Sequence, residues 1–251
     1  MAADQTATVK EADNKVYHGL SLFTETTAKT GTLLHDGEYL KTKELSRAEL
    51  LLPSESVTRL GANTIFNYSV ASNTVDLRAG TILFCKPKDA KQLNIKTAAV
   101  TAGIVGTTGF VQVQMNEKTK LPAAYQIGLI EGHVTVTLLS DGSTHEVKPG
   151  EIFTYIPGKG STTFLFDVPL MVKTSPLFTK FKGPLPNQKY IDEEITQYLN
   201  DQRRGFIQPT GGNQNNTNYA GIPTVPTTAF DSAGNAQGQG GNTPPPPSNN
   251  R

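Results

Sequence analysis

The chain is poor in cysteine, tryptophan, histidine and long apolar runs. It has one cysteine, Cys85, in 251 residues, which excludes an internal disulfide framework. No stretch approaches the roughly 20 consecutive apolar residues that a membrane-spanning helix needs, so we expect no integral membrane segment. The 23 basic and 22 acidic residues leave a formal net charge of +1. This charge balance offers no field that would hold a phosphate backbone, and nucleic acid is not expected as a partner.

Charged and apolar residues are also scarce at the C-terminal end. From residue 208 to the end of the chain the only charged residues are Asp231 and Arg251, and Gly, Asn, Pro, Thr and Gln dominate. Such a composition cannot bury enough apolar surface to offset the entropy of the chain. We therefore predict a disordered tail over 208–251.

Before this tail, short alternating segments separated by glycine turns predict an all-β domain. Val134, Val136 and Leu138 alternate with polar neighbours, which is the period-two pattern of a half-buried strand. Asp141 and Gly142 lie between two such segments and predict a hairpin. The pattern is typical of a sandwich or jelly-roll-like domain. Glycines at uneven intervals also leave open a solenoid-like roll of short strands.

One amphipathic helix is predicted near the C-terminal end of the folded part, over 187–205. It begins at Asn187, which we expect to cap the helix with its side chain, and acidic residues occupy the early turns. The predicted organisation is a flexible N-terminus over 1–15, an all-β domain over 16–180, the helix, and the tail.

The residues suited to metal chemistry do not form a recognisable site. His133 and His145 are the two histidines of the strand-rich region, and they are too far apart in sequence for the H-x-H pattern that places two ligands on one strand face. We expect His133 to face solvent. A small-molecule-binding, cupin-like barrel remains the least favoured alternative.

The remaining candidates for chemistry have simpler structural explanations. Cys85 lies in an apolar strand and predicts a buried, inert thiol, although nearby Lys86 and Lys88 keep a reactive thiol open. The glycines of 103–109 precede a strand rather than a helix, so they predict a tight turn and not a phosphate cradle. Glu131 directly precedes the turn glycine Gly132, and Glu151 directly follows the turn glycine Gly150. Both carboxylates are expected to be solvated. We assign no catalytic, cofactor-binding or metal-binding residues, and no cofactor.

Three ordered blocks of sequence resemble the FecR-type domain, named after the iron-dicitrate transmembrane sensor. The second block, IKTAAVTAGIVGTTGFV, is similar to the glycine-rich core of that family, and the third carries its glutamate, glycine and V-x-V pattern. Ala98 stands where the family commonly has proline. The resemblance covers roughly residues 31–155. Its first two blocks are Val75–Phe84 and Ile95–Val111, and its third block is Gly128–Val136 followed by Val147–Glu151.

The resemblance implies a non-enzymatic, periplasmic or secreted module of signal transduction with a protein partner in the cell envelope. Unpaired edge strands would provide its contact through β-augmentation. Met1 followed by Ala-Ala-Asp would fit an exported chain from which a signal peptide has been removed. Neither the sigma-factor-controlling segment nor the membrane helix of the family's sensors is recognisable in this sequence, so sigma-factor control is not carried over. The alternative is an envelope-associated scaffold that uses the tail.

Overall fold

Two β-sheets pack face to face in the structure, a computed structural model that describes residues 6–21 and 23–206 and the backbone of 213–217 and 223–224. The strands of the two sheets are β1 Ala7–Asp13, β2 Val16–Gly19, β3 Thr26–Thr27, β4 Leu33–Leu34, β5 Tyr39–Thr42, β6 Arg47–Leu51, β7 Val57–Leu60, β8 Ile65–Ser69, β9 Thr74–Cys85, β10 Leu93–Lys96, β11 Val100–Ile104, β12 Thr108–Met115, β13 Pro122–Glu131, β14 Val134–Leu138, β15 Thr144–Val147, β16 Glu151–Ile156 and β17 Gly160–Leu165.

The long strand β9 belongs to both sheets. Sheet A has the order β4-β1-β6-β7-β9-β12-β13-β16-β17, and sheet B has the order β3-β2-β5-β8-β9-β10-β11-β14-β15. The strand passes from sheet B to sheet A at Gly80, whose φ of +85° is readily adopted only by glycine. A Cβ at Gly80 would lie 2.5 Å from the Cα of Thr64, so close backbone packing also requires glycine there.

The main core lies between the two sheets and follows the period-two alternation of the sequence. In β9, Ile82 and Phe84 point into this core, while Leu83 and Cys85 point to the opposite face of sheet A. Val134 and Val136 of β14 enter the same core from sheet B. The structure thus confirms the predicted all-β, sandwich-like fold and the strand alternation behind it.

A second core lies on the outer face of sheet A, beneath three helices: α1 Val168–Thr174, α2 Pro176–Thr179 and α3 Gln188–Arg203. The first two helices are short, and each is capped by a side chain. Asp167 accepts a hydrogen bond from the Leu170 backbone N–H, and Ser175 accepts one from the Leu177 N–H. The molecule therefore has three layers, sheet B, sheet A and helices.

Arg59 on β7 links the helical layer to sheet A through hydrogen bonds. Its side chain is 1% exposed, and its Nε donates to Glu49 Oε2 at 2.7 Å. The other two nitrogens donate to backbone carbonyls of the helical segment, Nη1 to Leu177 at 3.0 Å and Nη2 to Gly183 at 2.6 Å. The guanidinium also lies over the Phe181 ring, 4.7 Å from its centroid. One buried cation therefore binds a carbonyl within α2 and another in the loop that follows it.

Two ranges expected from the sequence need correction. Within the range 1–15, which was predicted as a flexible N-terminus, β1 pairs with β4 and β6 and buries Ala7 and Val9. The β domain therefore begins before residue 16. The range 16–180 is also not purely β, because it contains α1 and α2.

Asn187 does not cap α3 with its side chain, although it is the N-cap residue. Its side-chain amide donates hydrogen bonds within a buried polar cluster that includes Glu131. The predicted tail over 208–251 lies outside the described residues, apart from two short strands, Asn213–Thr217 and Pro223–Thr224, that pair antiparallel as β18 and β19.

Candidate protein-interaction edge

The strand β17 forms one edge of sheet A. It pairs with β16 on one side, from Gly160 opposite Ile156 to Leu165 opposite Glu151. Its first four residues are exposed and the last two are half-buried. Six residues of extended chain are thus available along an open edge within the described part of the molecule.

The alternation of hydrogen-bonded and non-hydrogen-bonded pairs between β16 and β17 identifies which backbone groups of β17 face outward. The Phe166 N–H donates to the Gly150 carbonyl at 3.0 Å, which fixes this pair as a hydrogen-bonded one. In an antiparallel ladder such pairs alternate with pairs whose N–H and C=O groups point away from the neighbouring strand. The backbone groups of Ser161, Thr163 and Leu165 therefore point to the free edge.

The other sheet edges are shorter or charged. The edge strands β3 and β4 have two residues each. At the other end of sheet B, β15 has four residues, and its outward-facing backbone includes that of Glu146, whose side chain is exposed. Natural proteins protect edges by shortness and charge. The segment Gly160–Leu165 has no charged residue. It is the edge best suited to pair with another strand.

The side of β17 that faces the helices is anchored to the fold. Phe164 is half-buried and packs against the second core, and Phe166, directly after the strand, is fully buried. The Phe166 ring meets the Phe110 ring edge-on, with centroids 5.8 Å apart. These contacts hold the edge in an extended conformation, which lowers the ordering cost of binding a partner strand.

A buried polar cluster joins sheet A to the start of α3. Glu131 at the end of β13 is 2% exposed, and its Oε1 accepts hydrogen bonds from Asn187 Nδ2 at 2.6 Å and from Thr108 Oγ1 at 2.7 Å. The Asn187 amide also donates to the Lys86 carbonyl at 2.9 Å. Burial raises the pKa of Glu131 above its usual 4.5, and these two hydrogen bonds oppose the rise.

The expectation that Glu131 is solvated was therefore wrong. The turn glycine beside it suggested an exposed position, but α3 lies over this end of the strand. Glu151 is half-buried, and its carboxylate accepts a hydrogen bond from the Lys148 backbone N–H at 2.9 Å. The structure does not bring the two carboxylates together in a shared polar cluster.

Cys85 lies next to this cluster as a buried free thiol. Thr108 Oγ1 lies 3.3 Å from its sulfur, and burial raises the pKa of the thiol to about 11. A thiol with such a pKa is protonated at neutral pH and is a poor nucleophile. Lys86 was considered as a cation that could activate this thiol. Its ammonium donates hydrogen bonds to the carbonyls of Pro87 and Ala90.

His133 and His145, the two histidines considered as metal ligands, lie on opposite faces of sheet B. His145 is paired with Val136 and therefore faces the core side, where its ring lies 4.8 Å from that of Phe153. His133 precedes Val134 and faces solvent, with 59% of its side chain exposed. Two imidazoles on opposite faces cannot bind one ion. Within the described ranges no group of three metal-ligating side chains occurs.

The glycines of 103–109 have structural roles. Gly106 has a φ of +59° in the turn between β11 and β12. A Cβ at Gly109 would lie 2.5 Å from the Gly128 carbonyl oxygen on β13. This confirms a turn and close strand packing at these positions.

Part of the β domain is similar to a known protein family. Residues 38–135 match the family described as FecR protein. This segment of the β domain is therefore similar to the FecR family. The resemblance read from the sequence is confirmed, and β17 lies beyond the matched segment.

Two solved structures are similar to part of this chain. Both are crystal structures of a candidate anti-sigma factor from Parabacteroides distasonis ATCC 8503, one at 1.65 Å and one at 2.50 Å resolution. Each is 15% identical to this chain, with TM-scores of 0.46 and 0.45. The similarity covers 55% of this chain and 65% of those chains, less than two thirds of their length. No curated protein sequence matches the chain. Among the described helices, none combines the length and apolarity needed to cross a membrane.

Proposed function

We propose that the protein is a non-enzymatic, periplasmic or secreted protein-interaction module, and that it binds an extended segment of a cell-envelope protein along β17. The observation that carries the proposal is the open, uncharged edge of six residues. Three outward-facing residues can exchange main-chain hydrogen bonds with an added strand, which is the mode of β-augmentation.

The FecR domain supports a regulatory role, because domains of this family act in signalling. Protein partners and an envelope location follow from this family assignment as parts of the proposal. A regulatory domain of this kind needs a surface that recognises a partner, and a rigid strand edge provides affinity without a preformed pocket. The half-buried Phe164 and Leu165 at one end of β17 add apolar area that can fix the register of the added strand.

Proline substitution at an outward-facing position tests this mode. Thr163→Pro removes one outward N–H and leaves the ladder to β16 intact, because proline is tolerated on an edge strand. A matched control is Thr144→Pro, which removes an outward N–H from β15, the corresponding edge of sheet B. Crosslinking and affinity capture from intact envelopes should recover a specific partner with the wild type and Thr144→Pro, and lose it with Thr163→Pro.

A second variant separates binding from folding. Thr163→Lys keeps the backbone N–H but places a charge on the edge, which disfavours strand addition. Circular dichroism and urea unfolding should show both Thr163 variants folded. Retention of the partner by folded Thr163→Pro and Thr163→Lys would contradict the proposal.

The location is tested on the native precursor. Fractionation of the source cells should place the mature protein outside the cytoplasm. A protein found entirely in the cytosol would overturn the exported part of the proposal and leave the strand-edge part standing.

A further inference from the structure

A small cleft lies between α3, the Pro149-Gly150 turn and the start of α1. Its volume is about 110 Å³. Glu194, Tyr198 and Asp201 line it from successive turns of α3, since residues three and four apart share one helix face. The site is distinct from the β17 edge and is independent of the function proposed above.

Tyr198 contributes a buried polar atom that lacks a partner. The residue is 8% exposed, and its hydroxyl has no hydrogen bond within the described part of the chain. A buried hydroxyl without a partner is unfavourable, so a ligand that supplies one would be stabilised there. Burial raises the pKa of Tyr198 to about 12, with a contribution from the Asp167 charge. The hydroxyl therefore stays protonated at neutral pH and can accept a hydrogen bond.

The carboxylates of the cleft are not neutralised by a neighbouring cation. Burial raises the pKa of Glu194, and the charge of buried Glu131 adds to the rise. Among the described residues no lysine or arginine forms an ion pair with Glu194. Lys88 lies over the Tyr190 ring, with its ammonium 3.7 Å from the ring centroid. Asp201 accepts a hydrogen bond from Gln197 Nε2 at 2.8 Å.

The chemistry of the cleft is complementary to an organic cation. Two carboxylates and a hydroxyl oxygen accept hydrogen bonds, while Ile130 and Val168 provide an apolar wall. The volume is far below the roughly 300–1,000 Å³ of small-molecule pockets, so it admits the end of one side chain and not a larger ligand. The acidic groups do not assemble into a metal site in the described residues.

We propose that this cleft binds the ammonium or guanidinium group of a lysine or arginine side chain from a protein partner. The cationic head donates to the Glu194 and Asp201 carboxylates and to the Tyr198 hydroxyl. The aliphatic stem lies against the apolar wall, as long basic side chains commonly do.

The direct test is an NMR titration of the full chain with Nα-acetyl-arginine amide and Nα-acetyl-lysine amide. The control ligand is Nα-acetyl-norleucine amide, which has an uncharged stem. We expect saturable shifts of the Gly150, Gln197 and Tyr198 amides with a basic probe, at a dissociation constant of about 1 mM or weaker. Raising the salt concentration should weaken the binding, because the contact is ionic and partly exposed.

Two variants locate the binding. Glu194→Gln should weaken it about fivefold or more, whereas Glu193→Gln, an exposed neighbour that pairs with Lys189, should change it less than about twofold. Tyr198→Phe keeps the ring and removes only the unpaired hydroxyl, so it should fold and bind more weakly. Absence of saturable shifts with both basic probes, equal shifts with norleucine amide, or equal effects of the two glutamate variants would overturn the proposal.

Discussion

The Asn187 side-chain amide donates a 2.6 Å hydrogen bond to Oε1 of Glu131, and this contact joins the start of α3 to the end of β13. Both residues are buried, at 2% exposure each. A buried carboxylate is stable only when its oxygens are hydrogen-bonded. The position of the helix on the β domain is thus coupled to the hydrogen bonding of one buried carboxylate.

Asn187→Ala should lower the free energy of unfolding by about 2–3 kcal/mol, because it leaves a buried carboxylate short of one donor. Urea unfolding at neutral pH measures the loss. The matched control is Gln188→Ala, which removes an amide bonded to Asp192 on the exposed surface, and it should cost no more than about 0.5 kcal/mol. Equal effects of the two substitutions would contradict the role of the cluster.

The raised pKa of Glu131 predicts a dependence of stability on pH. The folded state holds the proton more tightly than the unfolded state, so the free energy of unfolding should fall as pH rises from 4.5 through the raised pKa. Glu194, whose pKa is also raised, contributes in the same direction. The stability from these groups is fully present at low pH and is lost as they ionise.

Glu131→Gln removes the titration while its amide oxygen can still accept from Asn187 and Thr108. The fall in stability between pH 4.5 and neutral pH should therefore become shallower, and stability at pH 7 should be at least that of the wild type. Urea unfolding over a pH series measures both. Exposed Glu117→Gln serves as the control, and a Glu131→Gln slope equal to that of the wild type would refute the assignment.

The contacts of Arg59 predict that the stability of the helical layer depends on this side chain. Arg59→Ala should lower the free energy of unfolding by about 3–5 kcal/mol, because Glu49 and two backbone carbonyls lose the hydrogen bonds that Arg59 donates. Hydrogen exchange should accelerate in the segment from α2 to Gly183, which the guanidinium fastens. Arg78→Ala, at an exposed position on β9, should leave both measurements near the wild-type values. A rigid helical segment in Arg59→Ala would show that other contacts hold it.

Gly128 on β13 is required by packing against an aromatic ring. A Cβ at this position would lie 2.1 Å from Cζ of Phe110, within the second core. Gly128→Ala should therefore destabilise the fold by about 1–3 kcal/mol or more in thermal unfolding. Gly183→Ala, where an added Cβ meets nothing within 4 Å, should stay within about 0.5 kcal/mol. A tolerated Gly128→Ala would mean that the Phe110 ring can move aside.

The strands and their faces could be predicted because their signal is local. The alternation of Val134, Val136 and Leu138 fixes a face within five residues, and Gly142, with a φ of +73°, marks a hairpin that the structure confirms. The long helix was also visible from its own periodicity. It begins one residue later and ends two residues earlier than predicted.

The contacts between layers could not be predicted, because their partners are far apart in sequence. Glu131 and Asn187 are 56 positions apart, and Arg59 and Gly183 are 124 apart. The turn glycine beside Glu131 predicted an exposed side chain. The side chain is buried because α3 lies over it, and this placement is not visible in the local sequence. The helices α1 and α2 are too short to produce a clear periodic pattern. Their local signals were Asp167 and Ser175, each closely followed by a proline.

The strand-edge account is tested most directly by photo-crosslinking at single positions in intact cell envelopes. A photoreactive residue placed at Ser161 on β17 should yield a crosslink to one partner protein, and the same residue at Thr144 on β15 or at Lys118 in the β12–β13 turn should not. Adding Thr163→Pro should abolish the crosslink from Ser161. Crosslinks of equal yield from all three positions, or a crosslink from Ser161 that survives Thr163→Pro, would contradict binding by strand addition.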